Sequence, residues 1–423
     1  MVWTSTVVEP GGTTETLAPK SYRMGTHRLI PPEETLRRVC PLMRDMGITR
    51  IANLTGLDWI GLPVVAVYRP NARSLSASQG KGMDLTAARA SGLMEAVESY
   101  HAEHIDLPLR RASYDELRAS HPVVEVGALP RLSVNSFHPA MRLLWVEGRD
   151  LRDGSPLWLP FELVHTDFTL PLPEGSGAFL MSSNGLASGN HPLEAISHGL
   201  CEVVERDATT LWHLRSEESQ HPTRLDLSTV DDPVCLQVLE RFERAGMEVA
   251  VWETTTDVGL ASFYCLLAER SPEPLRFRAP TTGAGCHPAR EIALLRALTE
   301  AAQVRLTLIS GARDDMGVTR CYDAFRDPAV WRHQVERMHR EPPVRPFQDV
   351  PSFAGRSFEE DVAWELERLA AVGLHQVVVV DLSRPEFRIP VVRVVVPGLE
   401  ALHDAPGYVP GRRGREMLKE RSR

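Results

Sequence analysis

Cysteine is scarce and scattered. Cys40, Cys201, Cys235, Cys265, Cys286 and Cys321 are the whole set, and no CxxC pair occurs. That excludes the common structural zinc sites and leaves no disulfide framework. Six reduced thiols in a cytoplasmic protein are expected. No run of 18 apolar residues exists, so no membrane-spanning helix is expected. The first twenty residues, MVWTSTVVEPGGTTETLAPK, lack a basic start and an apolar core and do not read as a signal peptide. Positive charge is in deficit: 47 Lys and Arg stand against 56 Asp and Glu, a net charge of -9. A chain of that sign has no general field for nucleic acid. Aromatic residues make up 6%, and nothing suggests the sugar cleft that a paired-carboxylate glycosidase needs. The phosphate-binding run GxxxxGK[ST] is also missing, because GKG at Gly80–Gly82 is followed by Met83.

The 423 residues that remain to be explained are 43% hydrophobic and 24% charged, a globular balance. At about 150 residues per domain the length fits two or three domains, and equally one elaborated α/β enzyme domain. The core is large enough to need no covalent staples. Residues 1–19, rich in Thr, Gly and Pro, read as a loose arm. A helix is expected over 31–46, with Glu33 and Glu34 in its first turn, where the helix dipole favours them. LPVVAVY at 62–68 reads as a buried strand, and 121–180 as a β-rich stretch broken by Pro and Gly. Further on, a helix at 234–245 and strands at 248–253 and 262–268 are expected. The β-branched runs at 377–382 and 391–397 read as central strands. The end of the chain, PGYVPGRRGREMLKERSR, turns polar and basic; the tail over 401–423 reads as a solvated end, with a functional role left open.

An internal repetition carries the chemistry. Three segments share one plan: SASQGKGMDLTAARASGLMEAVESYHAE, MSSNGLASGNHPLEAISHGLCEVVERDA and TTGAGCHPAREIALLRALTEAAQVRL. Each has glycines, then a helix with a pair of acids or amides three residues apart. The helices align without gaps on Glu95, Glu202 and Glu300, followed by Glu98, Glu205 and Gln303 and preceded by Ser91, His198 and Arg296. Positions i-4, i and i+3 lie on one face of an α-helix, so each helix offers a polar stripe. Two Glu pairs at this spacing repel themselves unless a cation compensates. Hard oxygen ligands suit Mg2+, which takes a few carboxylates, waters and substrate phosphates. The glycines before each helix start would leave N–H groups and a dipole end open to phosphate, with Lys81, Arg206 and Arg296 as nearby cations. A lone ExxE is usually a solvated face. Two of them and one ExxQ in register, inside Ala-, Leu- and Val-rich segments, point to a nucleotide–metal site.

These segments resemble the YcaO family, over about Lys20 to Pro397. The most specific part is SSNGLASGNHPLEAISHGLCEVVERDA, similar to that family's Asn-Gly segment followed by ExxxxxxxExxER. The resemblance implies an α/β (α+β) fold over 20–400, with repeated loop–helix units packed on β-sheets around a nucleotide pocket. It implies ATP and Mg2+ as cofactors. Carried over by position, Glu95, Glu98, Glu202 and Glu205 would hold magnesium. Lys20, Lys81, Ser91, Asn184, Asn190, Glu194, Arg206, Arg296, Glu300 and Gln303 would line the nucleotide, with Thr26 and Arg28 of GTHR beside Lys20. Cys201 and Cys286 fall inside these segments and read as packing residues, with Cys286, in a Gly loop, open to test as a sulfur carrier.

The activity implied is phosphorylation of a peptide amide oxygen, after which a nucleophile gives an azoline, a thioamide or an amidine. The chain lacks the Pro-rich PxPxP ending common in azoline-forming members. AAQVRLTLISGARDD and DLSRPE…VVRVVVPGLE are similar to members that work beside a TfuA-like partner, so thioamide formation is favoured. The expected partners are a ribosomally made precursor peptide or protein and a TfuA-like or leader-binding protein. Neither nucleic acid nor membrane is among them, and a homodimer is expected. The alternatives are an azoline-forming cyclodehydratase, an accessory factor for ribosomal protein modification, and a non-catalytic nucleotide-binding scaffold.

Overall fold

A computed structural model describes residues 18–134, 137–270, 279–313, 327–340 and 342–421. Most of the expected arm at 1–19 lies outside these residues, as does Cys321. Helices and sheets alternate along the chain, as the repetition of Gly-bearing stretch and helix predicts. The backbone divides into two compact units. One comprises the segments Met1–Ser21, Val97–Leu214 and Gly355–Arg423, and the other Tyr22–Ala96 and Arg215–Ala354.

The first unit is built on a six-stranded sheet. Its strands β4 (Leu109–Ser113), β5 (Arg142–Asp150), β13 (Val378–Asp381), β14 (Val391–Val395) and β7 (Leu186–Ser188) pair in that order, with β6 (Pro156–Pro160) on β5. β13 and β14 are the two Val-rich runs; their β-branched side chains suit a pleated surface, and Val378, Val391 and Val394 are fully or almost fully buried. Helix α4 (Pro192–Leu214) lies on β7 and β14, and α9 (Phe358–Ala371) and α10 (Arg412–Arg421) pack against α4. Short α3 (Tyr114–Arg118) is closed by a capping box between Ser113 and Glu116. The tail at 401–423 is therefore more than a solvated end, since α10 is a ten-residue helix with Arg413 and Gly414 buried.

The second unit has two three-stranded antiparallel sheets. One orders β1 (Arg50–Asn53), β2 (Val64–Tyr68) and β3 (Ala77–Lys81), the other β11 (Thr281–His287), β10 (Ala261–Glu269) and β9 (Met247–Glu253). A small parallel pair joins β8 (Leu225–Asp226) to β12 (Arg345–Pro346). Helix α7 (Arg290–Ser310) covers β11 and β10, with α6 (Pro233–Arg244) on α7 and β9. Phe242, Phe263, Leu294, Leu298 and Phe347 fill the core between them. Helices α5 (Glu217–Gln220) and α8 (Pro328–His339) also belong to this unit. Helix α1 (Pro32–Val39) ends well short of 46, because Pro41 lacks an N–H and its ring obstructs the preceding turn; Cys40–Leu42 is a 3-10 turn instead. In 121–180 only β5 and β6 are extended strands among the described residues.

The repeated glycines serve packing. An ideal Cβ on Gly80 of β3 would lie 2.1 Å from the carbonyl O of Ala88 in α2 (Leu85–Glu103), and one on Gly285 of β11 would lie 2.1 Å from the carbonyl O of Ala293 in α7. Each helix therefore rests directly on the strand before it, an approach only glycine permits. The repeating plan is strand-then-helix rather than phosphate loop-then-helix. Cys286 belongs to β11 and pairs with Ser262 of β10, so it is buried in a strand and not in a Gly loop.

Candidate functional site

In the first unit, the polar stripe of α4 and the end of α2 supply four acids. Arg206 sits between Glu202 and Glu205, with guanidinium–carboxylate separations of 3.8 and 3.4 Å. Glu205 is 3% exposed and Glu194, in the first turn of α4, 2%. Glu98, near the end of α2, accepts from both the backbone N–H and the hydroxyl of Ser188 at the end of β7, at 2.8 and 2.7 Å. β7 is held in register by β14, where Arg393 stands opposite Leu186.

Arg393 was not singled out in the sequence, yet a lone charge in the run VVRVVV is a signal, since a buried charge needs partners. It is fully buried and donates to the carbonyl O of Val164 at 2.9 Å and of Asn184 at 2.7 Å. Burial pulls its pKa down to about 10, against the pull of Glu202 and Glu98, whose negative fields favour the charged form. The side-chain Oδ1 of Asn184 is buried and has no hydrogen-bond partner among the described residues. Asn190 is half-buried just before α4.

Lys20 is buried in this unit. Its Nζ is 2.5 Å from Asp361 of α9, in a pair with no solvent exposure. One turn further, Glu365 accepts from Ser197 Oγ at 2.8 Å and Cys201 Sγ at 3.4 Å, both on α4. The Cys201 thiol thus has a packing and hydrogen-bonding place, as expected.

In the second unit, the first and third repeats meet through β3. Lys81 Nζ lies 2.9 Å from Glu300 Oε2 on α7, each side chain about a quarter exposed, at 22% and 25%. Glu300 Oε1 also accepts from Ala284 N at 3.4 Å. Glu95 Oε1 accepts from Gln79 N at 3.2 Å, and Gln79 bonds through its side chain to Thr307 of α7. Ser91 and Glu95 are exposed on α2; Arg296 and Gln303 are half-buried on α7. Thr26 and Arg28 flank His27, whose ring meets that of His287 edge-on at 5.1 Å.

The start of α2 is not an open phosphate seat, because the Asp84 carboxylate accepts from Ala87 N at 2.8 Å and brings negative charge there. Helix α2 passes from the second unit to the first, so Glu95 belongs to one and Glu98 to the other. Among the described residues, no three His, Cys, Asp or Glu side chains are grouped to hold a metal by themselves. The donor set is nonetheless of the right kind for Mg2+ with a nucleotide: carboxylate oxygens, arginines for phosphate, and at Asn184 an amide oxygen with no hydrogen-bond partner among the described residues. No described helix is long and apolar enough to cross a membrane.

A family model described as YcaO cyclodehydratase, ATP- and Mg2+-binding, matches residues 79–400. The chain is 38% identical over 377 residues to an uncharacterised protein from the tfuA 3' region of Rhizobium leguminosarum bv. trifolii, covering 88% of each. It is 36% identical over 405 residues to an uncharacterised protein of Methanothermobacter thermautotrophicus, covering 92% of this chain and 99% of the other. Among solved structures it is similar to YcaO from Methanopyrus kandleri, with a TM-score of 0.71, 24% identity, and 91% and 95% of the two chains covered. It is also similar in fold to a heterocyclase, with a TM-score of 0.76 and 23% identity over 96% of this chain and 56% of that one. The strand-then-helix repeats, the acid and arginine stripes and these likenesses agree: the chain belongs to the YcaO family, whose members are described as binding ATP and Mg2+.

Proposed function

We propose that this protein uses ATP and Mg2+ to O-phosphorylate backbone amides of a ribosomally made peptide, releasing ADP, and that external sulfide then attacks the activated carbon and expels phosphate to give a thioamide. The observation that carries the thioamide branch is the relative from the tfuA 3' region, 38% identical over 88% of the chain. The Methanopyrus YcaO structure is described as bound with AMPPCP and Mg2+, which supports the cofactors.

ATP supplies the phosphoryl group that turns a poor amide oxygen leaving group into a good one, with Mg2+ neutralising charge. The residues of the chain do the positioning. In this reading Glu95, Glu98, Glu202 and Glu205 hold magnesium. Arg206 and Arg296 face phosphate, with Lys81, Ser91, Asn184, Asn190, Glu194, Glu300 and Gln303 along the nucleotide. Lys20, whose Nζ pairs with Asp361, is proposed for the nucleotide on the resemblance alone. A homodimer, a peptide substrate and a TfuA-like or other capture protein complete the proposal.

The experiment is mass spectrometry of the candidate precursor peptide after incubation with enzyme, ATP, Mg2+, a sulfide source and the partner. A gain of about 16 Da is expected, oxygen replaced by sulfur after phosphoryl activation. A loss of about 18 Da would support the second reading, azoline formation, which the cyclodehydratase description of the family model favours. Binding of nucleotide and Mg2+ that Glu202→Ala leaves unchanged would overturn the site assignment. Nucleotide binding with no ATP turnover in the presence of peptide and partner would leave only a scaffold.

A further inference from the structure

Helix α4 carries Glu205 and Asp207 two residues apart. Each residue advances about 100° around the axis, so Asp207 points about 200° away from Glu205, to the back of the helix. Asp207 is fully buried there, and the C-terminal segment holds it. Its Oδ1 accepts from the backbone N–H of Glu400 at 2.9 Å and from Arg413 Nε at 3.1 Å; its Oδ2 accepts from Arg413 Nη2 at 3.1 Å. One turn on, Thr210 Oγ1 donates to the carbonyl O of Ala401 at 2.7 Å and accepts from His403 N at 3.0 Å. Another turn on, the rings of His213 and His403 stack at 4.2 Å.

The segment is also locked on itself. The Glu400 carboxylate accepts from Tyr408 Oη at 2.7 Å, Gly411 N at 2.8 Å and Gly414 N at 2.7 Å. These bonds fix the start of α10 and so set Arg413 in place. Three successive turns of α4 are thus gripped, Asp207 from the side away from Glu205.

We propose that residues 400–414 brace helix α4, with Asp207 and Arg413 as positioning residues for the carboxylates of Glu202 and Glu205 and the guanidinium of Arg206. The inference rests on the proposed ATP and Mg2+ chemistry and says what holds its ligand helix. A two-point guanidinium–carboxylate contact is directional as well as attractive, so it resists rotation and sliding of α4. Misplacement of reacting groups by about 1 Å can cost about a hundredfold in rate. A merely stabilising ion pair at the surface would have no such effect.

The test uses the full chain with Arg413→Gln, Arg413→Lys and, as a control, Arg415→Gln on the exposed side of α10. Binding of a non-hydrolysable ATP analogue is titrated with Mg2+, beside thermal midpoints. Arg413→Gln is expected to raise the Mg2+ needed for half-saturation by about tenfold, the usual range for outer-shell residues, with Lys recovering part of it and Arg415→Gln neutral. A lowered midpoint with unchanged Mg2+ demand overturns the brace and leaves a stabilising contact. If Arg413→Gln does not fold, Arg413→Lys and Tyr408→Phe, which removes one donor to Glu400, give the same readout; unchanged Mg2+ demand in both overturns it. A wild-type chain that binds no magnesium nucleotide overturns the proposed function, and the brace with it. Wild-type binding with a shifted variant supports both.

Discussion

Glu98 at the end of α2 and Ser188 at the end of β7 are joined by two hydrogen bonds onto one carboxylate oxygen, at 2.8 and 2.7 Å. The backbone N–H fixes where that oxygen sits, and the hydroxyl fixes how the carboxylate is turned. Ser188→Ala removes only the second. The expected result is a fold retained to within about 1 kcal/mol, the worth of one hydrogen bond, and weaker Mg2+-dependent nucleotide binding by about tenfold. Calorimetric titration with an ATP analogue at several Mg2+ concentrations measures both affinity and metal dependence. An unchanged Mg2+ dependence would remove Glu98 from the metal set.

Lys81 and Glu300 offer the converse case. Both side chains keep access to water, so their 2.9 Å pair contributes little to stability. Lys81→Met is expected to shift the unfolding free energy by less than about 1 kcal/mol. On the proposed function it should nonetheless weaken nucleotide binding clearly, because a phosphate would lose a cation. Loss of stability with intact nucleotide affinity would make the pair structural. Denaturant titration and nucleotide binding on the same preparation separate the two.

Arg393 is expected to behave like neither. Its guanidinium is fully buried in β14 and satisfies the carbonyls of Val164 and Asn184. Arg393→Met leaves those carbonyls without donors and removes the positive neighbour of Glu98 and Glu202. The expected cost is about 3 kcal/mol or more, within the range for breaking a buried charged contact. Chemical denaturation measures it, and a variant as stable as the parent would show that the Arg is a functional rather than a structural charge.

The spacing of Glu95/Glu98, Glu202/Glu205 and Glu300/Gln303 was legible because a helix repeats its faces at fixed intervals, and the two Val runs because β-branched residues suit buried strands. What pairs across the chain was not. Asp207 meets Arg413 over 206 residues of separation, and nothing local in ERDA or GRRG tells one arginine from the next. The glycines of GKG and TTGAG were legible as special but not as to purpose. A phosphate loop and a strand pressed onto a helix both demand a missing Cβ, and only the 2.1 Å that would separate a Cβ on Gly80 from the carbonyl O of Ala88 tells them apart. The end of α1 at Val39 was written in Pro41, a residue that periodicity alone does not weigh.

Glu365 yields a pH prediction with a definite sign. Its carboxyl is fully buried between α9 and α4; one oxygen accepts from Ser197 and Cys201, and the other has no hydrogen-bond partner among the described residues. Burial pushes its pKa well above the usual carboxylate range, and the nearby Cys201 and Asp361 add to the rise. A group raised in the folded state favours folding while protonated, so its contribution is complete below the unfolded pKa of about 4.5 and is lost as pH rises through the folded value. Wild-type stability is therefore expected to fall with rising pH on this account. Glu365→Gln keeps the shape, keeps a group that can bond Ser197, and cannot ionise. Its stability relative to wild type should grow between pH 5 and pH 8, with the two nearly equal at the acid end, the range set by the raised carboxyl. Urea denaturation across that range is the measurement. A wild-type–variant difference that stays constant with pH would mean that Glu365 does not titrate on unfolding, and that its carboxyl is held by ion pairing rather than by a proton.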